Sequence, residues 1–323
     1  MSLRGIGFVT TEPLEILFLM GCTGCGKGAV AREFARRVDA EILSVDSMKV
    51  YRRMDIGTAK PDPEIRREIP HHLIDVVEPH EDFSVAAFVP LAESAAAQIA
   101  GRGRTILAVG GTALYIKALS EGLFEGPSAD PEIRARLTDR AETDGLETLY
   151  NELAAVDPAA ARRIHRNDAR RIVRALEVYE VTKQPISTLQ TQWDQHSTRH
   201  RCTFIGLRRE IDDQNHRTNM RVKRLIARGW VDEVRALLFE PRPLSRTARQ
   251  ALGYRELIEH VHGRVTLEDA VEKIKISTRQ FGKAQRTWFK RFSNVQWFDL
   301  SPQDTADQVA EHMVKNWQEP CCK

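Results

Sequence analysis

Residues 14–38 read LEILFLMGCTGCGKGAVAREFARRV, and this stretch decides the fold. A short apolar run ends in a glycine-rich loop, and a helix-like segment follows. Gly21 to Lys27 match the pattern G-x-x-x-x-G-K-[ST], in which backbone N–H groups at a helix N-terminus hold phosphate oxygens and the lysine adds positive charge. The last position is Gly28, which lacks the hydroxyl that usually binds magnesium. The stretch therefore predicts a phosphate site with an altered metal arrangement.

Four further apolar runs predict strands that alternate with helices, at residues 41–45, 105–109, 202–207 and 295–299. Such alternation is typical of a parallel sheet. Between the runs at 105–109 and 202–207, residues 129–198 contain no strand-like segment, and Asp-Pro pairs at 130–131 and 157–158 indicate helix starts. We predict an α/β fold: a P-loop-containing parallel sheet core (1–128 and 199–316), an all-helical insertion domain (129–198) and a C-terminal tail (317–323).

The composition indicates a globular chain of 323 residues, 42% of them apolar, with a net charge of +3. No run approaches the roughly 20 apolar residues of a membrane span. The N-terminus does not resemble a signal peptide, so we expect a cytoplasmic protein. Residues 1–130 carry a net charge of −4 and the remainder +7, which indicates an anionic partner or an ordinary solvated surface.

Cysteines give no sign of a metal centre or a disulfide framework. There are five of them, and only Cys22 and Cys25 form a C-x-x-C pair. A zinc site would need a second such pair. We therefore interpret both as small residues of the glycine loop.

Asp46 and the turn Gly110–Thr112 each follow a predicted strand, as the glycine loop does. The carboxyl ends of parallel strands form the ligand crevice of an open α/β sheet, so we expect these residues to meet there. A carboxylate is a poor phosphate ligand but a good general base, although a helix cap is the alternative for Asp46. The 105–109 strand ends without the acid that helps phosphate-loop ATPases hold magnesium, so we expect no ordinary ATP hydrolysis.

Residues 266–291 predict a long helix with two different faces. Val271, Ile274, Thr278, Phe281, Gln285, Trp288 and Phe292 recur at steps of three and four and predict the buried face. Arg279, Lys283, Arg286 and Lys290 lie opposite. This basic face is either a solvated surface or a contact for a phosphate backbone.

Motifs along nearly the whole chain, from about residue 15 to 300, resemble the tRNA dimethylallyltransferase (tRNA isopentenyltransferase) family. They are GCTGCGKGAVA (21–31), DSMKVYRRMDIGTAKP (46–61), PHHLIDVVEP (70–79), VGGTALYIKAL (109–119), SADPEIRARL (128–137), RIHRNDARRIVRALEVYE (163–180), QALGYRELIE (250–259) and STRQFGKAQRTWFKRF (277–292). The resemblance implies transfer of a dimethylallyl group from dimethylallyl diphosphate to N6 of the adenosine at tRNA position 37, with Mg²⁺ as cofactor. It implies no membrane partner, and we expect a monomer.

The resemblance also implies roles for individual residues. Asp46 would take the proton of the adenine amine, and Thr112 would hydrogen-bond near the breaking C–O bond. The implied diphosphate ligands are Gly21, Cys22, Thr23, Gly24, Cys25, Gly26, Lys27, Gly28, Arg217 and Arg221. The implied tRNA contacts are Asp46, Ser47, Met48, Lys49, Thr112, Arg134, Arg170, Arg171, Arg174, Gln250, Gly253, Tyr254 and Arg255. The chain departs from the family's usual residues at Gly28, Lys49, Arg53 and Ala284.

Two other functions fit part of the sequence. A small-molecule or nucleoside kinase could use the same core, but Gly28 lacks the hydroxyl that such enzymes use for magnesium. A tRNA-binding homologue could have lost activity through Gly28, but Asp46 and Thr112 are present. Consumption of ATP would identify the kinase.

Overall fold

The computed structural model describes residues 13–122, 126–127, 129–190 and 199–318. The chain divides into two compact units. The first comprises Met1–Ser120 and Thr198–Lys323, and the second comprises Glu121–Ser197. The insertion predicted at 129–198 overlaps this second stretch, which begins eight residues earlier, at Glu121, and ends one residue earlier, at Ser197.

The first unit is built on a parallel sheet of six strands in the order β3-β2-β4-β1-β5-β6. The strands are β1 Glu15–Gly21, β2 Ala40–Val45, β3 His71–His72, β4 Thr105–Gly110, β5 Arg201–Arg209 and β6 Val295–Leu300. The central β1 is buried from Ile16 to Gly21 because it has strands on both sides and helices over its faces. All five predicted strands are confirmed. The edge strand β3 was not predicted, since two histidines make no apolar run.

Helices connect the strands, and in the second unit they are the regular elements of the residues that the structure describes. In chain order they are α1 Lys27–Val38, α2 Pro63–Glu68, α3 Val85–Gly101, α4 Ala113–Glu121, α5 Pro131–Thr143, α6 Leu146–Val156, α7 Pro158–Arg163, α8 Ala169–Thr182, α9 Ile186–Leu189, α10 Ile211–Ala227, α11 Trp230–Leu238, α12 Arg246–Arg249, α13 Tyr254–Val261, α14 Leu267–Phe289 and α15 Ala306–Gln318. Among the described residues, no helix is long and apolar enough to cross a membrane.

Helix α1 carries the phosphate loop's C-terminal end and is anchored on both sides. Phe34 is fully buried on the face toward the sheet. The Trp317 ring of α15 meets the Phe34 ring edge-on, with centroids 5.8 Å apart. The predicted tail at 317–323 was therefore placed too early, since α15 continues to Gln318 and packs Trp317 into this core. Residues 319–323 lie outside the described part of the chain.

The second unit owes its helix starts to the two Asp-Pro pairs. The Asp130 carboxylate accepts the N–H groups of Glu132 and Ile133 at the start of α5. The Asp157 carboxylate accepts the N–H of Ala160 at the start of α7. Each carboxylate satisfies N–H groups that have no partner inside the helix. Leu137, Leu149, Leu153, Ile172 and Leu176 share a separate apolar core in this unit.

Helix α14 has only part of the predicted buried face, since Val271 and Trp288 are partly buried and one predicted position is exposed. Ile274, Thr278 and Gln285 are buried, as expected. Phe281 is 45% exposed, so its predicted burial was wrong. The buried residues along this part of α14 are Thr278, Gly282, Gln285 and Phe289. Phe281 precedes Gly282, and because neighbouring residues of a helix point in different directions, its side chain lies outside the buried face.

Candidate active site

The phosphate loop between β1 and α1 depends on two glycines with left-handed backbones. Gly24 has φ +84°, and a Cβ there would lie 2.6 Å from the hydroxyl oxygen of Thr218 on α10. Gly26 has φ +97° and occupies the N-cap of α1. Both conformations are costly for residues with a side chain. The loop thus directs the N-terminus of α1, with its free N–H groups, toward the carboxyl edge of the sheet.

Lys27 is held across this loop by the loop's own backbone. Its Nζ donates to the carbonyl oxygens of Gly21 at 2.6 Å and Cys22 at 2.9 Å. Both cysteine side chains are buried in the loop. Burial is the main cause that raises the pKa of the Cys22 thiol. A raised pKa keeps this thiol protonated and poorly reactive, in agreement with a packing role.

Asp46 follows the last residue of β2, and its two carboxylate oxygens have different surroundings. Its Oδ1 accepts the backbone N–H groups of Met48 at 2.9 Å and Lys49 at 3.3 Å, so this oxygen caps a turn; no helix begins here, and the helix-cap alternative was wrong. Across residues 13–122, 126–127, 129–190 and 199–318, Oδ2 has no hydrogen-bond partner. One oxygen therefore fixes the carboxylate, and the other is free to accept a proton.

Thr112 follows β4 and meets the segment after β2. Its Oγ1 accepts the N–H of Ser47 at 3.2 Å and lies 3.5 Å from the Ser47 hydroxyl. Gly110 allows this approach, since a Cβ there would lie 1.9 Å from the carbonyl oxygen of Val45. The structure thus brings Thr112 next to the Asp46–Ser47 turn, as the shared strand edge predicts.

Several cations surround the Asp46 carboxylate. Burial lowers the pKa of Lys49; Asp46 opposes this effect, and Arg221, Lys27 and Arg32 add to it. Burial also lowers the pKa of Arg221, again against the attraction of Asp46. Within the described chain, the side chains of Arg32, Lys49 and Arg221 make no hydrogen bond or ion pair. These three cations are partly buried. Unpaired cations that are partly removed from water gain from a bound anion, so the site is suited to a polyanionic ligand.

Arg217 completes the cationic wall on the side of the loop. A guanidinium nitrogen of Arg217 would lie 4.0 Å from a Cβ placed on Gly26. Arg217 and Arg221 are one turn apart on α10, so both project from the same face. Of the two arginines predicted from the family, Arg217 lies over the loop and Arg221 interacts with Asp46.

The implied tRNA residues of the second unit fall into two groups. Arg134 and Arg174 donate to the Glu177 carboxylate at 2.8 and 2.9 Å, and Glu177 is fully buried. These two arginines therefore stabilise the helical unit itself. Arg170 and Arg171 are exposed on α8, and Arg171 forms a 3.1 Å ion pair one turn away with Asp168. The exposed pair is the better placed for phosphate contacts.

The implied tRNA residues of the QALGYRELIE motif divide in the same way. Gln250 and Arg255 are exposed. Gly253 is buried with φ +88°, and a Cβ there would lie 2.1 Å from the Trp230 ring. Tyr254 is only 1% exposed, and its hydroxyl donates to Glu233 at 2.7 Å. The Tyr254 side chain is therefore part of the core in this structure.

Glu233 on α11 was not predicted, yet it holds the segment that follows Asp46. Its Oε2 accepts the N–H groups of Asp55 at 2.7 Å and Ile56 at 2.6 Å, and its Oε1 accepts that of Gly57 at 3.1 Å. Because these contacts are far apart in sequence, only the fold reveals them. They explain part of the DSMKVYRRMDIGTAKP motif as a structural element.

The site offers a metal few protein ligands. Among the described residues there is no cluster of three or more His, Cys, Asp or Glu side chains. Gly28 is exposed and nothing lies within 4 Å of a Cβ placed on it, so the hydroxyl position of the pattern is open space. The free oxygen of Asp46 and the hydroxyls of Ser47 and Thr112 remain. These donors fit an ion that is held mainly by its substrate, as Mg²⁺ often is.

A phosphate loop on a parallel sheet, facing a carboxylate and a hydroxyl across the strand ends, defines a phosphate-loop α/β protein. The family model of the IPP transferases matches residues 49–292. A tRNA dimethylallyltransferase of Geobacter metallireducens is 45% identical over 288 residues, covering 89% of this chain and 93% of that protein. A second, of Symbiobacterium thermophilum, is 45% identical, covering 95% and 97%. The chain belongs to the IPP transferase family.

Solved structures agree with this assignment. The full-length tRNA isopentenylpyrophosphate transferase of Bacillus halodurans is 35% identical, with a TM-score of 0.67 and coverage of 94% of this chain and 97% of that chain. A eukaryotic dimethylallyltransferase acting on tRNA is 25% identical, with a TM-score of 0.79 and coverage of 96% and 81%. The fold class predicted from the sequence and the family resemblance are both confirmed.

Proposed function

We propose that the protein transfers the dimethylallyl group of dimethylallyl diphosphate to N6 of an adenosine in tRNA, at position 37 next to the anticodon. The observation that carries this proposal is the free oxygen of Asp46 among cations that have no partner, at the edge of a phosphate loop. The cations suit a leaving diphosphate, and the carboxylate suits the proton of an attacking amine. The names of the relatives support the same reaction.

In the proposed reaction, the N6 nitrogen forms a bond to C1 of the allyl group while the C1–O bond to diphosphate breaks. The diphosphate leaves with both electrons of that bond. Asp46 accepts the proton that N6 loses, and a positioned base of this kind contributes about 10²–10⁴ in rate. Lys27, Arg217 and Arg221 neutralise the charge that develops on the diphosphate. The hydroxyl of Thr112 donates toward the oxygen of the breaking bond.

The adenosine must leave its stack to reach this site. A base that undergoes chemistry is extruded from a stacked strand, and the protein holds the rest of the nucleic acid through its phosphates. The exposed Arg170 and Arg171 on α8, and Gln250 and Arg255 of the QALGYRELIE motif, are the proposed tRNA contacts. Because the substrate is tRNA, we place the reaction in the cytoplasm, and we expect the protein to act as a monomer.

Mg²⁺ is the proposed cofactor, and it would neutralise charge on the diphosphate. The hydroxyls of Ser47 and Thr112 are the side-chain groups that would face it, since the free oxygen of Asp46 serves the amine, and Gly28 would not bind it. Since Mg²⁺ keeps several waters and binds substrate phosphates, one missing protein ligand lowers affinity without emptying the site. Diphosphate departs from carbon here, so the metal need not set a geometry for attack at phosphorus.

The two alternative functions are less well supported. A kinase on this core would rely on the hydroxyl missing at Gly28 and on an acid after β4, where the chain has Gly110–Thr112. An inactive tRNA-binding homologue would have no reason to keep a free carboxylate among unpaired cations. The relatives named above are transferases, which favours neither alternative.

The test is an incubation of the protein with unmodified tRNA, dimethylallyl diphosphate and Mg²⁺, followed by nucleoside mass spectrometry. Isopentenyladenosine is the expected product. A parallel incubation with ATP and candidate nucleosides detects kinase activity through formation of ADP. ADP without isopentenyladenosine would favour the kinase, and tRNA binding without either product would favour the inactive homologue.

A further inference from the structure

The carboxamide of Gln285 joins the two halves of the site. Gln285 lies on α14 and is 6% exposed. Its Oε1 accepts the N–H of Thr23 in the phosphate loop at 2.8 Å. Its Nε2 donates to the carbonyl oxygen of Gly111, the residue before Thr112, also at 2.8 Å. One side chain thus spans from the loop that holds the diphosphate to the turn that carries the Thr112 hydroxyl.

A second helix also contacts the phosphate loop at Thr23. Gln214 on α10 is 4% exposed, and its Nε2 donates to the carbonyl oxygen of Thr23 at 2.8 Å. Its Oε1 accepts a guanidinium N–H of Arg286 at 2.7 Å. The backbone N–H and C=O groups of Thr23 are therefore both bound to buried carboxamides. Arg286, adjacent to Gln285 on α14, fixes which way the Gln214 amide points.

Gly111 and the Gln285 carboxamide are in close contact, with no room for a side chain at Gly111. A Cβ placed on Gly111 would lie 2.5 Å from Nε2 of Gln285. The turn must therefore approach the carboxamide with bare backbone. The primary amide of Gln285 offers an acceptor and a donor on one rigid plane, whereas a carboxylate or an apolar side chain of the same length satisfies one partner at most.

We propose that Gln285 is a positioning residue for the transfer reaction: it sets the distance between the phosphate loop and Thr112. This inference rests on the proposed function, since it assigns Thr112 to the breaking bond and the loop to the leaving diphosphate. Misplacing a reacting group by about 1 Å costs on the order of 10²-fold in rate. The bridge gives the chain a means of holding that distance without direct contact with the reacting atoms.

The test compares Gln285→Met with Gln280→Met. Met has nearly the length of Gln but cannot bridge, and Gln280 is exposed on the same helix. The rate of a single turnover with saturating tRNA and dimethylallyl diphosphate should fall about 10²-fold in Gln285→Met and stay unchanged in Gln280→Met. The affinity for tRNA should be unchanged in both. A Gln285→Met rate within about threefold of wild type would overturn the proposal, since misplacement predicts a far larger loss.

Two further variants separate positioning from general support of the fold. Thr112→Val removes the hydroxyl that the bridge positions, so adding Gln285→Met to it should cost little more. If the rate loss of the double variant equals the product of the two single-variant losses, Gln285 acts independently of Thr112, through stability alone, and the proposal fails. Gln285→Glu keeps the acceptor for Thr23 but not the donor for Gly111. Its rate can still be measured if Gln285→Met does not fold. A wild-type rate in Gln285→Glu would also overturn the proposal.

A binding measurement keeps this inference separable from the proposed function. Calorimetry with inorganic diphosphate reports on the loop without any tRNA. Losing the hydrogen bond to Thr23 should weaken that binding by up to about 10-fold in Gln285→Met. If wild type binds diphosphate but forms no isopentenyladenosine, the proposed function fails. If Gln285→Met binds diphosphate as tightly as wild type, the bridge fails.

Discussion

Replacing Glu233 by alanine should destabilise the first unit more than any single surface change nearby. The Glu233 carboxylate accepts four hydrogen bonds: from the N–H groups of Asp55, Ile56 and Gly57, and from the Tyr254 hydroxyl. Each hydrogen bond to a charged group contributes roughly 1.5–3 kcal/mol when buried. Asp55 is exposed and regains water, whereas Tyr254 is buried and does not. With this discount, the free energy of unfolding should fall by about 3–5 kcal/mol.

The matched control is Glu240→Ala. Glu240 binds the Arg53 guanidinium at 2.7 Å, but about half of the Arg53 side chain is exposed. An ion pair of this kind contributes roughly 0.2–1 kcal/mol. The assay is urea denaturation, with thermal melting as a check; the Glu233→Ala loss corresponds to about 10 °C in Tm. Equal destabilisation by the two variants, or a loss below about 1 kcal/mol in Glu233→Ala, would refute the assignment of Glu233 as the anchor of this loop.

Other predictions concern the metal, the RNA and pH. Gly28→Ser should lower the magnesium concentration for half-maximal transfer and change saturated turnover little, since a side chain fits the open space there; activity in the Ser variant alone would favour the inactive homologue. Replacing Arg170 and Arg171 by serine should reduce the log–log salt slope of tRNA binding by about two, and an unchanged slope would mean that they face only solvent. Burial lowers the pKa of His71 to about 4, so its contribution to stability is complete above pH 6.5 and declines toward pH 4; His71→Gln should flatten this decline in unfolding measurements.

The strand ends and the loop could be predicted from the sequence because their signals are local. Apolar runs of five or six residues gave five of the six strands, and the glycine pattern gave the position of Lys27. The shared edge of a parallel sheet then placed Asp46 beside Thr112 before any contact was known. The helix starts at Asp130 and Asp157 followed from capping chemistry in the same way.

The remaining features depend on contacts between distant segments. Gln285 was expected on a buried face, but its carboxamide could not be matched to Thr23 and Gly111 without the fold. The resemblance assigns Tyr254 to the tRNA contacts, but its burial against the Trp230 ring could not be predicted, since a family motif does not distinguish a ligand-binding residue from a supporting one. Phe281 was assigned to the wrong face because the helical period of 3.6 allows either of two neighbouring positions.

The most direct test of the account is the transfer reaction of wild type and Asp46→Asn, measured as isopentenyladenosine formed in unmodified tRNA. Asparagine keeps an acceptor for the N–H groups of Met48 and Lys49 but is no base at neutral pH. We expect product with wild type and a rate lower by about 10²–10⁴ with Asp46→Asn, at nearly unchanged tRNA affinity. Near-normal turnover of Asp46→Asn would contradict it.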